Sequence, residues 1–299
     1  MSTHASNHCP LFSVILPTRD REEMLPRAVS SVLSQSLQDF ELIIVDDGSA
    51  KPCGDDLPRD ARIRILRNAF SRGVAHARNL GIQAAHGRYI SFLDDDDEYL
   101  PLFLHMTHAR LRNSPDEIGI SWCGIAFIDD AITRGASSVS RTRTFGEYNS
   151  RQSLLEDFLT IGTGFGVTIK SDCLKKVGLF NEALKVSSDS DMFIRILAKG
   201  FTPTALPGEH LVLRRDHRGP RLQSLSTVQE RIRTWEWFLS EYSEFLDKNP
   251  ILKGRFLNYI DSLKKKLEPS RTYVKPRRGS GRIVRFFSGL LKAPRLRGS

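Results

Sequence analysis

The chain has 299 residues, 40% hydrophobic and 26% charged, a composition that supports a packed core and excludes global disorder. No apolar run approaches a membrane span, and the first eleven residues lack the apolar stretch of a secretory signal. The net charge of +9 is concentrated at one end: from Lys264 onward twelve Lys/Arg face one acid, Glu268, while the preceding residues are close to neutral, which argues against a nucleic-acid-binding face on the folded body.

In chain order, Phe12 to Leu16 is a short apolar run closed by Pro17 and reads as a buried strand. Met24, Leu25, Ala28, Val29, Val32 and Leu33 recur at helical spacing, with Pro26 tolerated in the first turn. Leu42 to Val45 is a second strand, stopped by Asp46-Asp47-Gly48-Ser49, and Arg62 to Leu66 a weaker third. Gly73 to Ala85 predicts a helix whose inner face is small: Val74, Ala77, Gly81 and Ala84. Tyr89 to Leu93 is a fourth strand, ended by Asp94 to Asp97, with a helix beginning near Pro101. This alternation predicts an α/β fold with parallel pairing and helices on both faces of the sheet.

Beyond residue 118 the pattern loosens. Ile118 to Ile128, Gly166 to Ile169 and Leu211 to Leu213 read as strands, Asp191 to Ala198 as a helix, and Arg134 to Tyr148 as a loop. Thr227 to Leu267 is mainly helical with a break near Asn249-Pro250, and Pro269 to Gly281 has linker composition. The four cysteines are scattered without a CxxC pair, which disfavours a structural zinc or a disulfide framework and fits a reducing compartment.

The chemistry is carried by the acids. Asp46-Asp47 and Asp94 to Asp97 each follow an apolar strand directly, and ligands of open parallel sheets bind outside the carboxyl ends of the strands. Gathered carboxylates repel unless a cation or ligand donors compensate. Mg²⁺ or Mn²⁺ with oxygen ligands and a substrate diphosphate would do so. The plainer reading is that Asp94 to Asp97 caps the following helix and is otherwise solvated.

Four segments together resemble the successive signatures of family 2 glycosyltransferases: Ser13-Val14-Ile15-Leu16-Pro17-Thr18, Val45-Asp46-Asp47-Gly48-Ser49, Gly73 to Gly81 (GVAHARNLG), and Gly87 to Asp97 (GRYISFLDDDD). The resemblance spans residues 12–225 and implies a GT-A fold: a mixed, mainly parallel sheet that binds a nucleotide sugar, with an inverting, metal-dependent reaction. It implies that Pro17 and Thr18 line the nucleotide pocket, that Asp47 accepts from the ring N–H of the base with Asp46 supporting the loop, and that Arg78 lies near the nucleotide and the acids. The DxD motif falls on Asp94-Asp95-Asp96. Asp96 matches the ligand of Mn²⁺ or Mg²⁺, and Asp94 or Asp95 the group that holds ribose or donor sugar.

In Ser187-Ser188-Asp189-Ser190-Asp191, Asp189 takes the position of the catalytic base and Ser188 replaces the family's usual Glu; Asp191 is the competing assignment. Ser187 or Ser188 is also a candidate helix cap, with both acids favouring the N-terminal dipole. Arg214 to Leu222 resembles the family's mobile loop. His217 would approach metal and diphosphate, with Arg215, Arg218 and Arg221 available to phosphate. Gly162-Thr163-Gly164-Phe165-Gly166 lacks the spacing of a dinucleotide fingerprint. Trp235, Trp237 and Phe238 read as helix packing, and Cys123 and Cys173 as core thiols.

The organisation expected is thus a leader over residues 1–11, a glycosyltransferase domain over 12–225, a helical region over 226–268 and a basic tail over 269–299. In the tail Ile283, Val284, Phe286, Phe287, Leu290 and Leu291 form one apolar helical face among Arg and Lys, the profile of a segment that binds an anionic membrane surface. The function implied is transfer from a nucleotide diphosphate sugar, of the UDP type, to a glycan or lipid-linked acceptor in cell-surface polysaccharide synthesis. Its place would be the cytoplasm, peripheral at the inner face of the membrane, with no nucleic-acid partner. The alternative is a non-catalytic nucleotide-sugar or partner-binding module on the same scaffold.

Overall fold

The computed structural model describes residues 9–128, 139–146, 148–214 and 228–267. The apolar runs become strands β1 (Phe12–Thr18), β2 (Phe40–Asp46), β3 (Ile63–Arg67) and β4 (Tyr89–Phe92), linked by helices α1 (Leu25–Leu33) and α2 (Val74–Ala84). β1 pairs in parallel with both β2 and β4, and β3 pairs in parallel with β2. The chain therefore leaves β1 in one direction and returns to its other side. The crevice where the order reverses is where such sheets bind ligands.

Every residue of β1 and β2 is buried, as expected for strands covered on both faces. Their side chains alternate: Val14, Leu16, Leu42 and Ile44 pack with α1, while Ile43 and Val45 face Ala77 of α2 and Ile15 joins the main core on that side. The smallness of α2 is required. A Cβ on Gly81 would lie 2.5 Å from Ile15 Cγ2, so the helix can approach β1 this closely only without one.

The later half is mixed. It contains β5 (Asp97–Tyr99), α3 (Phe103–Leu111), β6 (Ile118–Ile128), β7 (Val139–Arg143), α4 (Arg151–Phe158), β8 (Thr168–Lys170), α5 (Ser171–Val177), α6 (Ser188–Ala198) and β9 (Thr202–Arg214). The sheet order is β3-β2-β1-β4-β8-β6-β9-β5, with β7 added to β6. β8 is antiparallel to both β4 and β6, so β6 runs in the direction of β4. Two expectations change here. Arg134 to Tyr148 contains strand β7 rather than only loop, and Asp97 opens β5, paired with Leu213, instead of capping a helix.

Helices α7 (Val228–Glu241), α8 (Ser243–Asp247) and α9 (Pro250–Leu267) follow. Trp235, Phe238, Phe256 and Ile260 share one core cluster with Phe193 and Ile196 of α6, so the helical region packs into the body. Trp235 and Phe238 are buried packing residues, as read from the sequence, and Cys123 and Cys173 are buried free thiols. Among the described residues no helix is long and apolar enough to cross a membrane.

Candidate active site at the carboxyl ends of the strands

β1 ends at Thr18 and β4 leads into Asp94, so the two termini meet across the crevice. Thr18 Oγ1 donates to Asp95 Oδ2 at 2.7 Å. Arg78, on α2 and only 6% exposed, donates through Nη2 to Asp94 Oδ1 at 2.8 Å. The two acids thus have different partners, and Asp96 stands half-exposed beside them. Burial, with Asp96 and Asp94 adding to it and the Thr18 hydroxyl opposing, pushes the Asp95 carboxyl up to about 7. Arg78 pairs with Asp94, and Arg21 acts on Asp95 as a second cation. The donors of the acidic cluster are all oxygen, the type that Mg²⁺ and Mn²⁺ take.

The β2 loop is built by its own acids. Asp46 is fully buried and accepts from Ser49 N (2.8 Å), Cys53 N (3.3 Å) and Arg67 Nη1 (3.2 Å). Asp47 accepts four hydrogen bonds: from Asn68 Nδ2 and Arg72 N on Oδ1, and from Ser71 Oγ and Gly73 N on Oδ2, all between 2.7 and 2.9 Å. Burial raises its carboxyl, but these donors outweigh burial and hold it below the usual value. A carboxylate offers about four lone-pair positions. Two of the four donors, Asn68 Nδ2 and Ser71 Oγ, are side chains and two, Arg72 N and Gly73 N, are backbone, so a further donor would have to replace one of the side chains. Pro17 is buried in β1 beside Thr18.

Asp189 lies in the first turn of α6, half-buried, with Oδ1 accepting from Ser190 N at 2.9 Å. Burial raises its carboxyl and Asp94 adds to the rise, while Arg78 opposes it. Asp191 lies two residues on, about 200° around the helix. It is 1% exposed and turned inward, where Arg195 Nε (3.0 Å) and Nη2 (2.7 Å) and the Tyr242 hydroxyl donate to it. The helix start differs from the expected cap. Ser187 takes a left-handed conformation (φ 59°, ψ 27°), neither Ser187 nor Ser188 caps with its side chain, and Ser187 Oγ accepts from Trp235 Nε1 at 3.2 Å.

The sequence reading missed two contributors. A Cβ on Gly162 would lie 2.6 Å from Asp189 Oδ2, and one on Gly164 would lie 3.2 Å from Asp94 Oδ2. The loop set aside as no dinucleotide fingerprint therefore runs between the two acids, and its paired glycines were the available signal. The second is Asn79, whose side chain both donates to Phe180 O (2.9 Å) and accepts from Phe180 N (2.8 Å) while donating to Glu182 Oε1 (2.9 Å). It ties α2 to the segment that leads into α6. His217 and Arg218, with Arg215 and Arg221, lie outside the described residues, as does the basic tail. Arg214, the last described residue of β9, donates through Nε to Glu98 on β5 at 2.5 Å, one residue from Asp97.

The family model described as Glycosyl transferase family 2 matches residues 13–176. An uncharacterised glycosyltransferase of Bacillus subtilis (strain 168), EpsJ, is 39% identical over 120 residues, covering 38% of this chain and 34% of its own. An uncharacterised glycosyltransferase of Haemophilus influenzae is 26% identical over 194 residues, covering 64% of each chain. A third relative, from Escherichia coli, is named UDP-Glc:alpha-D-GlcNAc-diphosphoundecaprenol beta-1,3-glucosyltransferase WfgD, and is 37% identical over 98 residues, 32% of this chain and 39% of its own. The matches span between about a third and two thirds of these relatives' lengths. Among solved structures, S. aureus TarS 1-349 in complex with UDP-GlcNAc is similar in fold, with a TM-score of 0.58 at 18% identity, covering 76% of this chain and 66% of that one.

Proposed function

Since the chain belongs to glycosyl transferase family 2 and is a glycosyltransferase of mixed α/β, GT-A type, we propose that it transfers a sugar with inversion from a UDP-sugar to a hydroxyl of a glycan or lipid-linked acceptor, with Asp189 as the base. The observation that carries this reading is the placement of Asp189 and Asp94 on the two sides of the Gly162–Gly164 loop, with Arg78 acting on both acids. That arrangement supports a division of labour. Thr18 and the 94–96 acids serve the donor side, while Asp189 serves the attacking hydroxyl. The acceptor oxygen attacks the anomeric carbon as the bond to the nucleotide diphosphate breaks, and Asp189 takes the hydroxyl proton as the new bond forms. A carboxyl raised by burial is a stronger base than a solvated one, which suits this step. Asp191 is spent on Arg195 and Tyr242, which favours Asp189 over it as the base.

The oxygen donors of this cluster suit a divalent cation, which Asp96 would hold, with His217 as a further candidate from the sequence and Asp94 or Asp95 left to the ribose or donor sugar. Among the described residues no three such side chains converge into a complete cage, so the diphosphate would complete the coordination. Bound there, the cation would supply Lewis-acid stabilisation of the leaving diphosphate. UDP-Glc and a lipid diphosphate acceptor in the name of WfgD, and UDP-GlcNAc in the TarS complex, support the donor and acceptor classes. The basic tail would bring the enzyme to an anionic membrane where such an acceptor resides.

The test is turnover of a panel of UDP-sugars with Mn²⁺ by the wild type and by Asp189→Asn. Loss of about two to four orders of magnitude in the variant, with nucleotide binding kept, is expected of a lost general base. An Asp189→Asn variant as active as the wild type overturns the assignment.

A further inference from the structure

We propose that Trp235 and Tyr242, in the helical region beyond the family match, are positioning residues for the Asp189 carboxylate; the inference rests on Asp189 being the base. α6 starts without a side-chain cap and from a left-handed serine, a conformation L-residues adopt at a cost. Such a start persists only where its surroundings fix it. Two donors do so, one on each side of Asp189. Trp235 Nε1 holds Ser187 Oγ at 3.2 Å, two residues before it, and the Tyr242 hydroxyl holds Asp191 Oδ1, two residues after it.

The donors share one surface. Tyr242 follows α7 directly and keeps its hydrogen-bond pattern through Tyr242 N to Phe238 O (3.0 Å), so residues 235 and 242 stand two turns apart on one helix face. That face is anchored. The Trp235 ring packs on Phe256 and Tyr259 of α9 with centroids 4.8 and 4.6 Å away, and Phe238 between the two donors is fully buried. From the other side, Arg195 joins Asp191 to Val177 O and Leu179 O, each at 2.8 Å. Burial and the neighbouring Asp191 push the Tyr242 phenol up, so it remains a donor. The first turn of α6 is thus held at residues 187 and 191 from the core side, with the Asp189 carboxylate set against Gly162. Plain core packing would not need both polar contacts on the turn that carries the acid.

The experiment uses the full chain with Tyr242→Phe, Trp235→Phe and the exposed control Arg233→Ala, measuring kcat, donor KM, UDP affinity by calorimetry and Tm. Tyr242→Phe keeps the ring and its packing but removes a donor from the buried Asp191, so a lowered Tm is expected and the kinetic constants are read at a temperature where the variant is folded. A misaimed base costs about 10- to 100-fold in kcat, with donor KM and UDP affinity unchanged and the control like wild type. In an Asp189→Asn background, Tyr242→Phe should cost nothing further, because residues acting as one unit are not additive. The proposal is overturned if both variants keep wild-type kcat, if kcat and UDP affinity fall together, or if the losses multiply in the Asp189→Asn background. Full activity of Asp189→Asn alone overturns the base assignment, which is then a failure of that reading and is recognised as such.

Discussion

Arg78 Nη2 and Asp94 Oδ1 form an ion pair at 2.8 Å that joins α2 to the end of β4, and the Arg78 Nε finds no hydrogen-bond partner among the described residues. A nearly buried cation with a donor to spare is well suited to a site that receives anions.

Arg78→Met tests this. The side chain of Asp94 keeps 35% of its surface exposed, so breaking the pair should cost about 1–3 kcal/mol of stability, less than a fully buried pair. Arg78 opposes the rise of the Asp189 carboxyl, so its loss should raise that group further. The acid limb of the kcat/KM profile then moves to higher pH. An unmoved limb in a folded variant would show that Arg78 does not act on the base.

Gly162→Ala and Gly164→Ala separate the two sides of the site. The first places a Cβ 2.6 Å from Asp189 Oδ2 and must displace the carboxylate or the loop; the second meets Asp94 Oδ2 at 3.2 Å and Asp97 Oδ2 at 3.7 Å, where a smaller shift suffices. Gly162→Ala should lower kcat by about 10- to 100-fold with UDP affinity kept. Gly164→Ala should have the milder effect and show it in donor KM. Steady-state kinetics on both variants decide, and the reverse pattern would mean that the loop does not separate base from donor.

Asp96→Ala addresses the cation. One or two carboxylates alone hold Mg²⁺ or Mn²⁺ weakly, so metal and nucleoside diphosphate should bind together. Calorimetry with UDP should show affinity that strengthens on adding Mn²⁺ in the wild type and does not in Asp96→Ala. Undiminished turnover in excess chelator would sink the metal-dependent reading.

How much of this was legible depends on what each segment has to do. β1, β2 and β4 are buried on both faces and are mostly apolar, so their sequences announce them despite the buried Ser13, Glu41 and Ser91. β7 is an exposed edge strand, Val-Ser-Arg-Thr-Arg, and such a strand needs no apolar pattern. β9 contains Pro203, Pro207 and Gly208, residues that disfavour a strand; the β6–β9 pair absorbs Pro203 in a register shift between Ile118 and Ile120, and Pro207 and Gly208 in shifts on either side of Gly124. The two acids of α6 were indistinguishable from spacing alone. What separates them is Tyr242, more than fifty residues downstream, whose approach to Asp191 is a tertiary fact. The four protein donors of Asp47 depend on the loop conformation around Asn68 and Ser71, which no local pattern announces.

The last prediction concerns how the strands that carry the acids are held in register at their other end. Glu41 of β2 is buried and accepts from Ser13 Oγ of β1 and from His86 N, both at 2.7 Å, and from Arg64 Nη1 of β3 at 3.0 Å. Ser13 Oγ in turn accepts from Gly87 N at 2.8 Å, just before β4, so one carboxylate ties together all four parallel strands. Burial raises the Glu41 carboxyl, but the donors outweigh it and hold the group below the ordinary 4.5. A carboxyl lowered on folding stabilises the protein above its unfolded value, and that stabilisation is lost as pH falls through the folded value. Glu41→Gln cannot accept on both oxygens and should lose about 1–3 kcal/mol at pH 7. Thermal unfolding of both proteins from pH 7 to 3 should show a Tm gap that is full at neutral pH and narrows below about 4.5, as the wild type takes up its proton. A gap that stays constant to pH 3 would show that Glu41 contributes by shape and neutral hydrogen bonding, with its charge irrelevant to the register of the sheet.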